Sequence, residues 1–218
     1  KNKKQKTKNK KQKTKNKKII MTITIKYSIG DGGVEYKNFN KIRQLPNYDR
    51  IVYIDCCNNK LTSLPSELPE SLQELHCSNN DLTSLPSTLP ESLQTLDCSY
   101  NDLTSLPSKL PESLQILNCS NNNLTSLPSS LPESLIGLYC SDNDITSLPS
   151  SLPASLQTLY CSYNKLTELP SKLPESLKIL NCRNNNLTSL PINLHELRNL
   201  TYCIYNNNEI EYIPPQTT

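Results

Sequence analysis

Eight cysteines recur at a constant step of 21 residues: Cys56, Cys77, Cys98, Cys119, Cys140, Cys161, Cys182 and Cys203. A ninth, Cys57, stands outside the period. Such a file could be a disulfide framework, an array of metal ligands or a row of nucleophiles. Equivalent residues on stacked strands lie about 4.8 Å apart with parallel Cβ vectors. A disulfide needs Cβ atoms near 3.8 Å and converging, and tetrahedral zinc needs ligands that meet at a point. The expected role is packing, since free cysteine behaves as a small buried hydrophobe. Cys57 belongs to a second candidate, with His76 between Asp55 and Asp97 on adjacent repeats. That set could make a Cys-His-Asp nucleophile or a weak metal site. The diagonal spacing of about 8 Å is too long for the Cys57–His76 hydrogen bond. A cross-strand pairing of charged His76 with the two carboxylates is expected instead. His195 has no partner in the sequence, and no P-loop, dinucleotide fingerprint or HExxH is present. The expectation is a chain without catalytic activity, cofactor or metal.

The elements that hold these residues follow from the same period. Asn59, Asn80, Asn101, Asn122, Asn143, Asn164 and Asn185 share it, each closing a pattern such as Leu72-x-x-Leu75-x-Cys77-x-x-Asn80-x-Leu82. L-x-x-L-x-C-x-x-N-x-L is the leucine-rich-repeat signature with cysteine in its sixth position. Leu75 and Cys77 are two apart, so an extended segment turns both to one face and Glu74 and His76 to the other. One strand per repeat, stacked in parallel, gives a sheet with a ladder of Leu and Cys beneath it. Asn at position nine is expected to satisfy backbone groups of the turn that would otherwise be buried unpaired. Asn208 comes 23 residues after Asn185. Cys203 therefore falls at the second leucine position, with Tyr205 in the cysteine place, and seven rungs remain.

The return segment TSLPSxLPES carries two prolines in most repeats, which predicts an extended, polyproline-like convex side with little helix. Glu70, Glu91, Glu112, Glu133 and Glu175 make an acidic column there, interrupted by Ala154, and read as a solvated edge. From Met21 the chain alternates apolar and polar residues around Gly30, Gly32 and Gly33, predicting a β-hairpin cap. Asn40 to Pro46 reads as half a repeat. The segment HELRNL is rich in helix formers, so the penultimate return is expected to be helical.

At LPESLQTLDCSYNDLTSLPSKLPESL the chain resembles the short, proline-bearing leucine-rich repeats of translocated bacterial effectors, such as the ubiquitin-ligase family of invasion-plasmid antigens. The cysteine-containing form resembles the leucine-rich-repeat proteins of giant viruses of amoebae still more closely. The resemblance implies a curved right-handed solenoid that binds proteins. It carries over no ligase activity, since only the repeats carry the resemblance, and it names no partner.

Composition adds a charge division. Residues 1–18 hold 11 lysines and no acid, so the overall +3 leaves −8 on the rest of the chain. With no apolar residue, this segment is expected to be disordered and to offer weak nucleic-acid or anionic-surface contact. No apolar run is long enough for a transmembrane helix and no signal-peptide core follows the lysines. The expected location is intracellular, in cytoplasm or nucleus. The organisation read from these features is a Lys-rich tail over 1–20, a cap over 21–50 and a monomeric solenoid of about eight repeats over 51–218. The expected function is non-enzymatic protein binding on the concave face, at Tyr100, Ile116, Tyr139, Tyr160, Tyr163 and Ile179, with Gly137 leaving room for a partner and nearby aspartates favouring a basic one. A tethering adaptor acting through the lysines is the alternative.

Overall fold

The computed structural model describes residues 21–211; the lysine-rich segment and its expected disorder and contacts lie outside them. Among the described residues, ten strands form one sheet. Strands β1 (Ile23–Lys26) and β2 (Val34–Tyr36) make an antiparallel hairpin, and β1 also pairs antiparallel with β3 (Tyr53–Asp55). From β3 the sheet runs parallel through β4 (Glu74–His76), β5 (Thr95–Asp97), β6 (Ile116–Asn118), β7 (Gly137–Tyr139), β8 (Thr158–Tyr160), β9 (Ile179–Asn181) and β10 (Tyr202–Ile204). Every parallel pair is in register, so position three faces position three along the whole stack. The Gly-rich turn of the hairpin has a steric reason. A Cβ on Gly33 would stand 2.2 Å from Cγ2 of Thr24, so any side chain there would force Thr24 aside.

Apolar period two dictates what lies beneath. Leu75, Leu96, Leu117, Leu138, Leu159 and Leu180 are fully buried, as are Cys56, Cys77, Cys98, Cys119, Cys140, Cys161 and Cys182. All nine cysteines are free. Cys203 pairs with Leu180 in the β10–β9 register, so the register of the last asparagine, and not the 21-residue step, decides its place.

The asparagine of each repeat does the work expected of it. Asn80 Oδ1 accepts from the amides of Asn59 and Leu61, and its Nδ2 donates to the carbonyls of Cys56 and Cys77. Asn101, Asn122, Asn143, Asn164 and Asn185 repeat the bridge between their own strand end and the one before. A second ladder, of serine, joins the other strand ends. The hydroxyl of Ser92 lies 2.6 Å from the carbonyl of Glu70 and 2.7 Å from that of Leu72. Ser113, Ser134, Ser155 and Ser176 do the same one repeat further on. Prolines leave few donors in the returns, so a hydroxyl that crosses between repeats supplies bonds the backbone lacks.

The returns are extended and almost free of helix. Two local expectations are refined. The segment expected to be half a repeat contains a short helix, α1 (Phe39–Arg43), capped by Asn38, whose side chain accepts from the amide of Lys41. Ile42 of α1 is fully buried and closes the end of the core. The penultimate return holds a single 3-10 turn over Ile192–Glu196, beginning before the segment singled out for helix.

Candidate functional site

The Cys57, His76, Asp55 and Asp97 group does not assemble as expected. Cross-strand neighbours they are, but the carboxylates turn away from the imidazole. Asp55 accepts from the amide of Cys57 at 2.9 Å, and Asp97 accepts from the amide and hydroxyl of Ser99. Each closes the turn that follows its strand, because a carboxylate two residues before a turn amide finds a partner without crossing the sheet. His76 instead meets Glu74 of its own strand at 3.3 Å and lies against Tyr53, ring centroids 5.4 Å apart.

Cys57 is half-buried and its sulfur accepts from the hydroxyl of Ser78 at 3.1 Å. Burial, with Asp55 adding to it, pushes its thiol up to about 11. Thiolate is the reactive form, so two pH units above the ordinary value leave roughly a hundredfold less of it at neutral pH. Alkylation of native Cys57 by iodoacetamide at pH 7.5, followed by mass spectrometry, is expected to run about a hundredfold slower than that of the unfolded chain. Equal rates would restore the nucleophile. Among the described residues no cluster of three His, Cys, Asp or Glu side chains could hold a metal ion.

The six candidate binding residues separate into two sets. Ile116, Tyr139, Tyr160 and Ile179 lie on β6 to β9 and face outward from the sheet, all partly exposed. Tyr139 and Tyr160 stack with centroids 5.4 Å apart and planes inclined by 17°. Neither hydroxyl is bonded within the described residues. Gly137 is buried and leaves no gap for a partner. A Cβ there would stand 3.0 Å from Cδ1 of Ile116 and 3.1 Å from Cε2 of Tyr139, so those two side chains have taken the space and form a continuous apolar floor.

Tyr100 and Tyr163 are elsewhere. They follow the strands, at position eight, in the left-handed region with φ of 53° each. The other residues of that column are Asn58, Asn79, Asn121, Asp142, Asn184 and Asn207, all left-handed as well. Asn and Asp accept this conformation most readily among non-glycine residues. The column runs along the edge of the sheet, not across its face. Tyr163 carries the guanidinium of Arg183 5.1 Å above its ring.

Comparison with known proteins agrees with this architecture. A family sequence model for Leucine Rich repeats (2 copies) matches residues 70–108, and one for Leucine Rich Repeat matches residues 113–135 and 155–175. The leucine-rich-repeat domain of a Shigella effector is 32% identical, with a TM-score of 0.68, over 79% of this chain and 83% of that one. The chain belongs to the leucine-rich-repeat family. The functional domain of InlJ from Listeria monocytogenes, described as including a cysteine ladder, is 27% identical over 75% of this leucine-rich-repeat chain and 46% of its own, with a TM-score of 0.53. FLRT2, whose leucine-rich repeats sit in an octameric complex with Latrophilin 3 and Unc5D, is matched at 25% identity and a TM-score of 0.63, over 74% of this chain and 54% of that one. No curated protein matches the sequence. Leucine-rich repeats generally serve as scaffolds for protein–protein interaction.

Proposed function

We propose that this leucine-rich-repeat protein binds a protein ligand on the concave face of its sheet, at the floor formed by Ile116, Tyr139, Tyr160 and Ile179. The carrying observation is the Tyr139–Tyr160 stack. Two rigid aromatic rings on adjacent strands offer a large contact area and lose little rotamer freedom on binding. Their free hydroxyls can bond a partner at the rim of an apolar contact. The leucine-rich repeats of FLRT2 sit in a multi-protein assembly, which supports a protein ligand for this array.

The test is affinity capture from a cell lysate with wild type and with Tyr139→Ala/Tyr160→Ala. The variant is expected to keep its fold, since both rings are partly exposed. It is expected to lose captured proteins at least tenfold, the loss of about 1.4 kcal/mol or more that hot-spot aromatics carry. An unchanged capture profile from a folded variant removes the concave floor as the binding site.

A further inference from the structure

Tyr100 is the one residue of the position-eight column that is neither Asn nor Asp and has no cation over its ring among the described residues. Tyrosine in the left-handed region costs backbone energy that asparagine there largely avoids, and six of the eight residues of this column are Asn or Asp. Tyr163 has a reason, since Arg183 lies over its ring. Tyr53, on the sheet face, likewise carries the ammonium of Lys26 at 4.5 Å. Tyr100 is 59% exposed, the most exposed tyrosine of the described residues, and no cation among the described residues lies above it.

Its surroundings are negative. Asp81 and Asp102 stand at position ten of the preceding and the same repeat, both exposed, with Asp142 further along the column. None of the three forms an ion pair among the described residues. Asp144, by contrast, is held by Lys165 at 2.8 Å. An exposed aromatic face between unpaired carboxylates suits a lysine-rich segment, whose ammonium groups can lie over the ring and meet the acids beside it.

One such segment belongs to this chain and adjoins Met21, which stands at this edge. Thr22 is pinned to Asn59, the amide donating to Oδ1 at 2.8 Å and the carbonyl accepting from Nδ2 at 2.7 Å. Asn59 lies beside the first residue of the position-eight column, Asn58, and Met21 is one strand further out, so it stands three strand spacings, or about 15 Å, from Tyr100. Twenty residues reach as far as about 66 Å when extended. Residues 1–18 carry 11 lysines and no acid against −8 on the rest.

We propose that the lysine-rich segment 1–18 docks in cis along this edge of the sheet, with lysine over the ring of Tyr100 and paired with Asp81 and Asp102. The Tyr139–Tyr160 floor is not part of this contact, so the two readings stand or fall separately.

The test is zero-length carbodiimide cross-linking of the full chain, read by mass spectrometry on an equal mixture of ¹⁴N- and ¹⁵N-labelled protein. Expected are same-label links from residues 1–18 to Asp81 and Asp102, suppressed in 0.5 M salt. Tyr100→Asn is expected to reduce their yield several-fold while raising the melting temperature by a few degrees, because asparagine suits the left-handed turn. Links chiefly to the glutamate column at Glu70, Glu91, Glu112, Glu133 and Glu175, mixed-label links, no links to the body, or a yield indifferent to Tyr100→Asn would each overturn the proposal. Tyr139→Ala/Tyr160→Ala is expected to leave the links unchanged.

Discussion

Raising the pH above 9 is expected to unfold this protein abruptly, with reductant present throughout. The cause is the ladder of seven buried thiols. Burial pushes every one of them up, with the neighbouring thiol as the next contribution along most of the file; Cys182, nearest the open end, is pushed up to about 12. In the unfolded chain each releases its proton at an ordinary value near 9. The sign follows from the proton count. Above pH 9 the folded state holds more protons than the unfolded state, so stability falls as pH rises. The stabilisation is fully present below about pH 9 and drains away as the pH climbs toward the folded values. One pH unit costs about 1.4 kcal/mol per thiol, so seven cost about 10 kcal/mol at pH 10. That equals the whole stability of an ordinary domain. Tyr48, pushed up to about 12 mainly by burial, adds in the same direction.

The measurement is the urea midpoint by circular dichroism from pH 8 to pH 10.5. The expected slope corresponds to five or more protons per molecule near pH 10, with cooperative loss of structure by about pH 10.5. Replacing Cys98, Cys119 and Cys140 with alanine costs stability at neutral pH by leaving cavities, yet it should lower the slope by about three protons. A slope below two protons in the parent chain would mean that the thiols ionise in place, and that the file is wet.

Much of this protein was legible because the same 21 residues are written again and again. The period gave the parallel strands, the in-register stack, the buried cysteines and the asparagine bridge, since each rests on a spacing that the sequence displays directly. The shift at Asn208 by itself places Cys203 opposite a leucine. What escaped was decided by competition over a few ångströms. Asp55 and Asp97 face His76 across the sheet, yet a turn amide two residues ahead was the nearer partner. Tyr100 and Tyr163 counted as face residues because they sit among strand positions, while the asparagines occupying the same place in other repeats were already the signature of a left-handed turn. The serine ladder was visible too: Ser71, Ser92, Ser113, Ser134, Ser155 and Ser176 recur without exception, at a position that an edge free to drift would vary. At Phe39–Arg43 the N-cap signal of Asn38 competed with the repeat register suggested by Asn40, and the cap won.

The asparagine bridge is expected to be the most costly single side chain to remove. Asn122 sits mid-stack and is almost fully buried. Its Oδ1 accepts from the amide of Leu103 at 3.0 Å, and its Nδ2 donates to the carbonyls of Cys98 and Cys119 at 3.1 Å each. Asn122→Ala leaves the buried amide of Leu103 without its partner, while the carbonyls of Cys98 and Cys119 each lose one bond and keep the side-chain amide of Asn101 or Asn143. With one donor orphaned at roughly 1–3 kcal/mol and two further hydrogen bonds lost at about 0.5–1.5 kcal/mol each, the loss is about 2–6 kcal/mol. A solenoid amplifies this, because each repeat is held only by its neighbours and a failed central interface divides the stack into two short arrays. The unfolding transition of Asn122→Ala is therefore expected both to shift to lower urea and to broaden. Asn208→Ala removes the same kind of bridge, to Leu187, Cys182 and Tyr205. It does so at a partly exposed end where water can replace it, so its cost should be less than half as large. Thr104→Ala, exposed in the neighbouring return, supplies the baseline. If Asn122→Ala matched that baseline, the turn would be held by its backbone alone, and the recurrence of asparagine would need another cause.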